Sequence, residues 1–459
     1  MTPTRLCNLF TLLLLAGCAS AKFGTVESIR DYDSEIRPLV TLRENIDFSS
    51  VKVVSEGDSL LESIRIGILR NPDVEAAKRS VSTSDAEIQS AESALEPQIT
   101  GSVTAGGFTG DLADQVLANG AVVTTQLSQL LFDGGATERV IGTAKIERKL
   151  AEIEVASTVN AAAVNSTDTW LSVWRHQTDE AALKDLEAKL LPLAVQVSRM
   201  ASSGLIDRSV SDSIASRLIE FSLSREQTVA QLKSARFAFD NIFGRAPWQL
   251  SYPKLDDLTE QLDNINPETE IPLTVKQNAV DVLLAEEQLD LAQARLLPTL
   301  SLSASTSTSA DDISTPSGQI GLTVSYDFSD GGRRKAEVKR AEEAVARSKA
   351  QLARTRLDAN RTINDLLVNR KSSIENNRLI KEKIIVLERQ LKIAENQIQT
   401  GQSDIAKIFS ILVEIHELEV SYRETLADLR NTEVQLAAFL GLFHYPNSRD
   451  TENHARPRW

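Results

Sequence analysis

The sequence predicts a mainly α protein with a smaller β component, built as an internal duplication of long α-helical hairpins and β-hairpins. The 68 residues from Arg333 to Thr400 contain neither Gly nor Pro, which is typical of one very long helix of about 100 Å. Four short segments alternate apolar with small polar residues, the period of a β-strand. Three landmarks recur 197 residues later, and this spacing indicates a repeat. The landmark pairs are Asp133 and Asp330, Gly204 and Gly401, and Gly244 and Gly441.

The first residues resemble an export signal. Residues 1–17 combine Arg5 with the apolar run 9–15, which suits a signal peptide and is too short to span a bilayer. Leu15-Ala16-Gly17-Cys18 resembles the bacterial lipobox, in which the signal is cut before a cysteine that is then acylated. This resemblance implies lipidation at Cys18, and the Ala19 that follows points to the outer membrane. An ordinary secretory signal with a cysteine near its cleavage site is the alternative.

Composition excludes several classes of function. The formal net charge is −14, which argues against nucleic acid as a partner, because phosphate binding requires clustered Lys and Arg. The two cysteines, Cys7 and Cys18, lie near the start of the chain, so we expect no disulfide framework and no cysteine-based metal site in the body of the protein. The four histidines are scattered, and no catalytic constellation is evident. We therefore expect neither an enzyme, nor a cofactor, nor a metal centre.

The first repeat is predicted to follow a polar, lipid-anchored tether at 18–57. Its short helices are separated by Asn71-Pro72, since Pro is tolerated at the start of a helix but not inside it. Its long helix is expected to be interrupted at Gly142 and bent at Pro192. The first repeat comprises residues 58–244, strands near 97–107 and 120–132, a long helix ending at a tip near 204, and a returning helix to Gly244.

The second repeat follows a linker at 245–272, which contains four prolines. Its two long helices carry apolar residues at the spacing of a coiled-coil seam, interrupted by Glu419 and Glu433. The polar tail at 444–459 has no predicted role. The second repeat comprises residues 273–443, strands near 298–308 and 318–328, and a helical hairpin with its tip near 401.

The hairpins predict a membrane location. An isolated hairpin with one apolar face is not stable in water. Apolar side chains alternating with Ser, Thr and Gly suit a transmembrane β-barrel that faces lipid outside and water inside. Four strands are too few to enclose a lumen, so several copies of the chain must contribute. The long helices would continue the barrel as a helical tube.

The chain resembles the TolC-type outer-membrane efflux and secretion channels. The resemblance rests on a set of motifs repeated in one order: Asn71-Pro72-Asp73, Leu131-Phe132-Asp133-Gly134-Gly135, Leu296-Leu297-Pro298, Asp327-Phe328-Ser329-Asp330-Gly331-Gly332, and a Gly at each hairpin tip. It implies a homotrimer with a trimeric α-barrel tunnel and one shared β-barrel in outer-membrane lipid. It also implies a periplasmic adaptor (membrane fusion protein) docked on the tips and an inner-membrane pump or ABC transporter.

The resemblance places candidate functional residues at the hairpin tips. The adaptor contacts implied are Gly204, Leu205, Ile206, Gly401, Gln402 and Ser403. Known relatives carry carboxylates six and nine residues after the second tip glycine, whereas this chain has Lys407 and Ser410 there. Asp207 and Asp404 are the matched acids that remain as possible linings of the periplasmic entrance. Helix capping is the competing role for both.

The sequence therefore predicts a lipid-anchored outer-membrane channel with a long periplasmic portion. It would be the exit duct of a tripartite efflux pump or a type I secretion system and would conduct substrates passively. The alternative is a periplasmic coiled-coil adaptor or scaffold lipoprotein without a pore. Neither the cargo nor the identity of the adaptor and pump follows from the sequence.

Overall fold

The structure is a computed structural model that describes most of the chain from residue 54 onward. The described residues are 54–55, 58–108, 118–246, 249–265, 270–309, 317–399 and 405–444. The predictions for Cys18, for Gly401, Gln402, Ser403 and Asp404, and for most of the tether and tail fall outside them. At the end of the tether, Val54 is buried in the main hydrophobic core.

The fold consists of two repeats, each with a shorter helical segment, a β-hairpin and two long helices in that order. The bounds are α1 Leu60–Arg70, α2 Pro72–Glu92, β1 Gln98–Phe108, β2 Ala118–Phe132, α3 Ala136–Ser202, α4 Arg208–Phe243, α5 Asp256–Asp263, α6 Leu273–Ala294, β3 Thr299–Ser309, β4 Ser317–Ser325, α7 Arg333–Gln399 and α8 Ile405–Phe439. Helices α3 and α7 each contain 67 residues, and both their starts and their ends lie 197 positions apart. None of the described helices is long and apolar enough to cross a membrane.

Helix α3 is continuous where the sequence predicts an interruption. It runs through Gly142 and Pro192, although a proline inside a helix removes one hydrogen bond. Burial of Leu190 and Val197 against neighbouring helices offsets that loss. Gly142 serves close packing, because a Cβ there would overlap the Glu287 side chain of α6.

The four strands form one antiparallel sheet in the order β1-β2-β3-β4. Its register aligns the predicted apolar positions on one face, such as Val103 opposite Val123. The other face carries small polar residues, and the hydroxyl oxygens of Thr124 and Ser307 lie 3.2 Å apart there. Strand β4 ends at Ser325, earlier than predicted, because its partner there is Thr299, the first residue of β3.

The linker contains a helix that the sequence analysis did not predict. Helix α5 buries Leu258 and Leu262 in the main core, and Leu255 just before it is buried as well. That core also contains Trp170 and Phe239, both fully buried. A second cluster further along α3, α4 and α8 packs the helices together toward the tips.

Candidate functional site

The Asp-Gly-Gly motif converts a strand into a long helix in both repeats. The Asp133 carboxylate accepts hydrogen bonds from the amides of Gly135 at 3.0 Å and Thr137 at 2.7 Å. Asp330 accepts from Gly332 at 3.0 Å and Arg334 at 3.1 Å. The intervening glycines have φ between +68° and +90°, a conformation that Gly adopts without strain. Each carboxylate thus caps a helix start.

The second motif is also held by an ion pair. The Arg334 Nε lies 2.8 Å from the Asp330 carboxylate, and this contact with the amide bonds lowers the pKa of Asp330 to about 2. A depressed carboxyl pKa contributes stability above the unfolded value of about 4 and loses it as the pH falls toward about 2. The second strand-to-helix turn therefore retains this contribution at every pH above that window.

The two repeats meet through their strands and their long helices. Strand β2 pairs with β3, and α3 packs against both α6 and α8. Among the described residues, β1 pairs only with β2 and β4 only with β3. The sheet therefore ends in two unpaired edges, which natural proteins seldom leave uncovered.

Apolar side chains are also exposed on the helices, at positions whose counterparts in the other repeat are buried. Leu171 on α3 is 4% exposed, whereas its counterpart Val368 on α7 is 66% exposed. Val434 on α8 is fully buried, whereas its counterpart Phe237 on α4 is 64% exposed. The buried residues Leu171 and Val434 thus have exposed counterparts, one on α7 and one on α4.

The turn glycines Gly134 and Gly331 differ in the same way as these helix positions, one packed and one open. A Cβ on Gly134 would lie 2.6 Å from the Leu297 Cβ, whereas a Cβ on Gly331 would have no neighbour within 4 Å. Leu297 and its counterpart Glu96 each precede the proline that opens a strand. The Gly331 turn therefore has space where the Gly134 turn has a packed neighbour.

The first hairpin tip is built around Gly204. Its φ of +74° ends α3, and the Leu205 amide donates to the Met200 carbonyl at 2.9 Å, the geometry of a left-handed helix cap. Leu205 is 74% exposed, whereas Ile206 packs against the second apolar cluster. The two neighbours predicted as contacts thus differ, since only Leu205 offers an apolar surface to a partner.

Asp207 caps the returning helix. Its carboxylate accepts the Ser209 amide at 2.7 Å, and this hydrogen bond lowers the pKa of Asp207. The residue is therefore ionised at neutral pH and engaged at the start of α4. This geometry supports the capping role that the sequence analysis set against pore lining. Its counterpart Asp404 lies outside the described residues.

A groove behind the tip was not predicted. It encloses about 820 Å³ between α4 and α8. Ile214 and Phe409 form its apolar floor, and Arg217 lies at its edge. Lys383 of α7 pairs with Glu414 of α8 at 2.9 Å across the rim. Only the combined packing of three helices creates this groove, so no local sequence pattern indicates it.

A buried charge cluster holds the linker helix in place. Glu433 is 1% exposed and accepts from Arg370 at 3.2 Å and Arg430 at 2.6 Å. Arg370 also pairs with Asp263 at 2.7 Å, and the Arg430 guanidinium donates to the Pro253 carbonyl at 3.0 Å. The signal in the sequence was the interruption of the apolar seam at Glu433. Within the described residues, no group of three or more His, Cys, Asp or Glu side chains could hold a metal ion.

Comparison with protein families shows what the second repeat is. Residues 273–442 match the family described as outer membrane efflux protein. The second repeat is an outer membrane efflux protein domain. The resemblance named from the sequence is thereby confirmed, and the efflux-protein domain favours a channel over a non-channel adaptor or scaffold.

Solved structures share the fold of most of the chain, the first repeat included. The structure of CusC, described as forming a transmembrane channel, is 14% identical with a TM-score of 0.70 and covers 87% of this chain and 95% of that one. The Campylobacter jejuni CmeC outer membrane channel is 14% identical with a TM-score of 0.70, covering 91% and 94%. The Vibrio cholerae outer membrane protein VceC is 14% identical with a TM-score of 0.69, covering 83% and 96%. No curated protein sequence matches the chain.

Proposed function

We propose that the protein is the outer-membrane exit duct of a tripartite efflux pump or a type I secretion system, acting as a homotrimer. The observation that carries this proposal is the sheet with two unpaired edges. Residues along its strands alternate, so that one face is apolar and the other carries Ser, Thr and Gly. Three copies would supply twelve strands, enough to surround a water-filled lumen. The efflux-protein domain and the channel structures of the same fold support it.

The proposed duct is anchored in the bacterial outer membrane and extends far into the periplasm. Lipidation of Cys18 would add a second attachment beside the barrel, since a single acyl chain binds membranes only marginally. Helices of 67 residues at about 1.5 Å per residue would extend roughly 100 Å from the sheet. The duct moves solutes without chemistry, so we propose no catalytic residue.

The proposed partners are a periplasmic adaptor at the tips and an inner-membrane pump or ABC transporter behind it. In the first tip, exposed Leu205 supports an apolar contact with the adaptor. Gly204 and Ile206 would hold that contact in place, and Gly401, Gln402 and Ser403 are the proposed counterparts in the second tip. Lining of the entrance by Asp207 and Asp404 remains a proposal.

Planar-bilayer conductance of the purified protein, with its mass measured in the same detergent, tests the function. We expect discrete conductance steps from a particle of three chains. A folded, lipid-modified protein that is monomeric and never conducts would contradict the duct and favour the scaffold alternative. The sheet would then bind another protein through its edges.

A further inference from the structure

Helices α3 and α6 contact each other where the first repeat meets the second. Helix α3 follows β2 and α6 precedes β3, and these two strands are paired. The Arg139 guanidinium lies 3.4 Å from the Glu287 carboxylate and 3.1 Å from that of Asp290. About one turn further along α3, a Cβ on Gly142 would overlap the Glu287 side chain. This contact therefore combines a cation and a small residue on the long helix with acids on the shorter helix.

The equivalent helices at the free edges of the sheet are α7 and α2. Helix α7 follows β4 and α2 precedes β1, the two strands with an unpaired edge among the described residues. Residues 85–97 align with 286–298 without a gap, and Asp85 and Glu286 each form an ion pair with the long helix of their own repeat. If β4 of one copy pairs with β1 of the next as β2 pairs with β3, α7 lies against α2 of that next copy.

Long and short side chains are exchanged between the two contacts. Gly142 of α3 corresponds to Lys339 of α7, and Glu287 of α6 corresponds to Ala86 of α2. The Glu287 side chain is only 18% exposed, whereas Lys339 and Ala86 are both exposed. Each contact thus places one long side chain opposite one short side chain, which close packing favours over two long ones.

The charges of α7 and α2 are complementary below the sheet. Residues 333–340 contain five cations and one acid, and residues 85–96 contain four acids and no base. Arg333 and Arg334 pair with acids of their own chain. The cations of this segment that form no ion pair with a described residue are Lys335, Lys339 and Arg340.

The acids of α2 and of the turn that follows it divide in the same way. Asp85 and Glu92 pair with α3 of the same chain. Glu87 and Glu96 are exposed and form no ion pair with a described residue. Glu96 is the counterpart of Leu297, which packs against a strand-to-helix turn, so Glu96 would face the start of α7. Opposite charges without partners are therefore present on both sides of the contact.

We propose that α7 of one copy binds α2 of the next copy just below the sheet. Lys339 packs over Ala86 and pairs with Glu87. Lys335 pairs with Glu96 at the end of the segment nearest the sheet. The proposal rests on the self-association in the proposed function and names the residues that select the partner, because complementary charges favour one partner and register over others. As within the chain, the long helix supplies the cations and the shorter helix the acids.

Disulfide cross-linking of the full-length protein in detergent tests the contact. The variant carries Ala86→Cys and Lys339→Cys. A Cβ on Gly142 would lie 3.3 Å from the Glu287 Cγ at the equivalent contact, a separation that suits a disulfide. Under mild oxidation we expect dimers and trimers on a non-reducing denaturing gel, and these should disappear on reduction.

Ala76 of α2 supplies the matched control. Ala76 and its counterpart Gln277 are both exposed, so no junction covers this position. Ala76→Cys combined with Lys339→Cys should give at least tenfold fewer cross-linked dimers. Single-cysteine variants report any coupling through Cys18.

A second pair of substitutions tests the size and charge of the contact. Ala86→Lys places a second long cation opposite Lys339 and should lower the trimer fraction several-fold in sedimentation. The helical content should not change, because Ala86 is exposed within one chain. Adding Lys339→Ala removes the opposing cation and should restore the trimer, and Ala76→Lys should have no effect.

The outcomes separate this contact from the duct itself. A trimer that conducts but does not cross-link overturns the contact alone. A cross-link confined to one chain overturns the assignment to the neighbouring copy, and cross-linked trimers that tolerate Ala86→Lys overturn the pairing of charges. A monomer that neither conducts nor cross-links overturns both the contact and the proposed duct.

Discussion

At the residue scale, equivalent glycines experience different surroundings. Gly134 and Gly331 begin the same turn with φ of +72° and +68°. Only Gly134 packs against another part of its own chain, Leu297. If copies associate as the repeats do, the Gly331 turn of one copy packs against Glu96 of the next.

This difference predicts distinct effects of adding one methyl group. Gly331→Ala should shift the protein from oligomer toward monomer, because its Cβ would meet the neighbouring copy. Gly332→Ala is the matched control, since its counterpart Gly135 has only the distant Glu138 carboxylate, at 3.8 Å. Both variants carry a left-handed strain of about 1 kcal/mol. Sedimentation in detergent measures the outcome, and equal dissociation of the two variants would contradict the junction.

The capping carboxylates show how much one residue can specify. Asp133 and Asp330 each bind the amides two and four residues ahead. The sequence motif alone predicted that a helix begins there. The additional ion pair with Arg334 could not be predicted from the motif, because the equivalent position in the first repeat is Thr137.

At the element scale, a buried charge cluster holds helix α5 of the linker on the second repeat. Burying an ion pair requires that every charge finds a partner, and removing one partner leaves the others uncompensated. Glu433 has two arginine partners here. The cluster therefore fixes where the linker lies on α7 and α8.

We predict that Glu433→Ala strongly destabilises the protein. The cost should be about 3–5 kcal/mol, because Arg370 and Arg430 would remain buried without this acceptor. Glu424→Ala on the same helix is the control, since Glu424 makes only a long contact with Arg175, at 3.9 Å on the surface, worth about 1 kcal/mol or less. Denaturant unfolding followed by circular dichroism measures both. Similar losses of stability in the two variants would contradict a stabilising role of the buried charge cluster.

The linker also shows a limit of local pattern reading. Its prolines indicated an irregular segment, and the eight residues of α5 are too few to form a stable helix alone. Burial of Leu258 and Leu262 against distant helices stabilises it. The distant partners are what the local sequence does not contain.

At the scale of the whole molecule, the repeat leaves two complementary faces exposed. Val368 and Leu357 of α7 are exposed, whereas their counterparts Leu171 and Asn160 are buried at the junction of the repeats. The other free face, on α4, exposes Phe237. Apolar surface on two separate faces of one chain is typical of a protein that associates with further copies of itself and closes into a ring.

We predict that Val368→Lys dissociates the oligomer and leaves the helical content unchanged. The lysine would place a charge in an apolar junction without a partner. Ile393→Lys is the matched control, because Ile393 and its counterpart Gln196 are both exposed, so no junction covers that position. Native mass measurement in detergent distinguishes the two. A Val368→Lys protein that keeps the mass of the parent would show that another surface joins the copies.

The sequence by itself determined the elements and their duplication. Hydrophobic period, helix-capping Asp and turn Gly act over a few residues, so the long helices, the alternating strands and the tip at Gly204 could be predicted. Tertiary structure decided which elements meet, through pairings such as Val123 with Thr308 that join distant parts of the chain. It also decided that α3 continues through Pro192 and that Glu433 is buried between two arginines. These outcomes depend on burial by remote neighbours, whose free energy no local pattern contains.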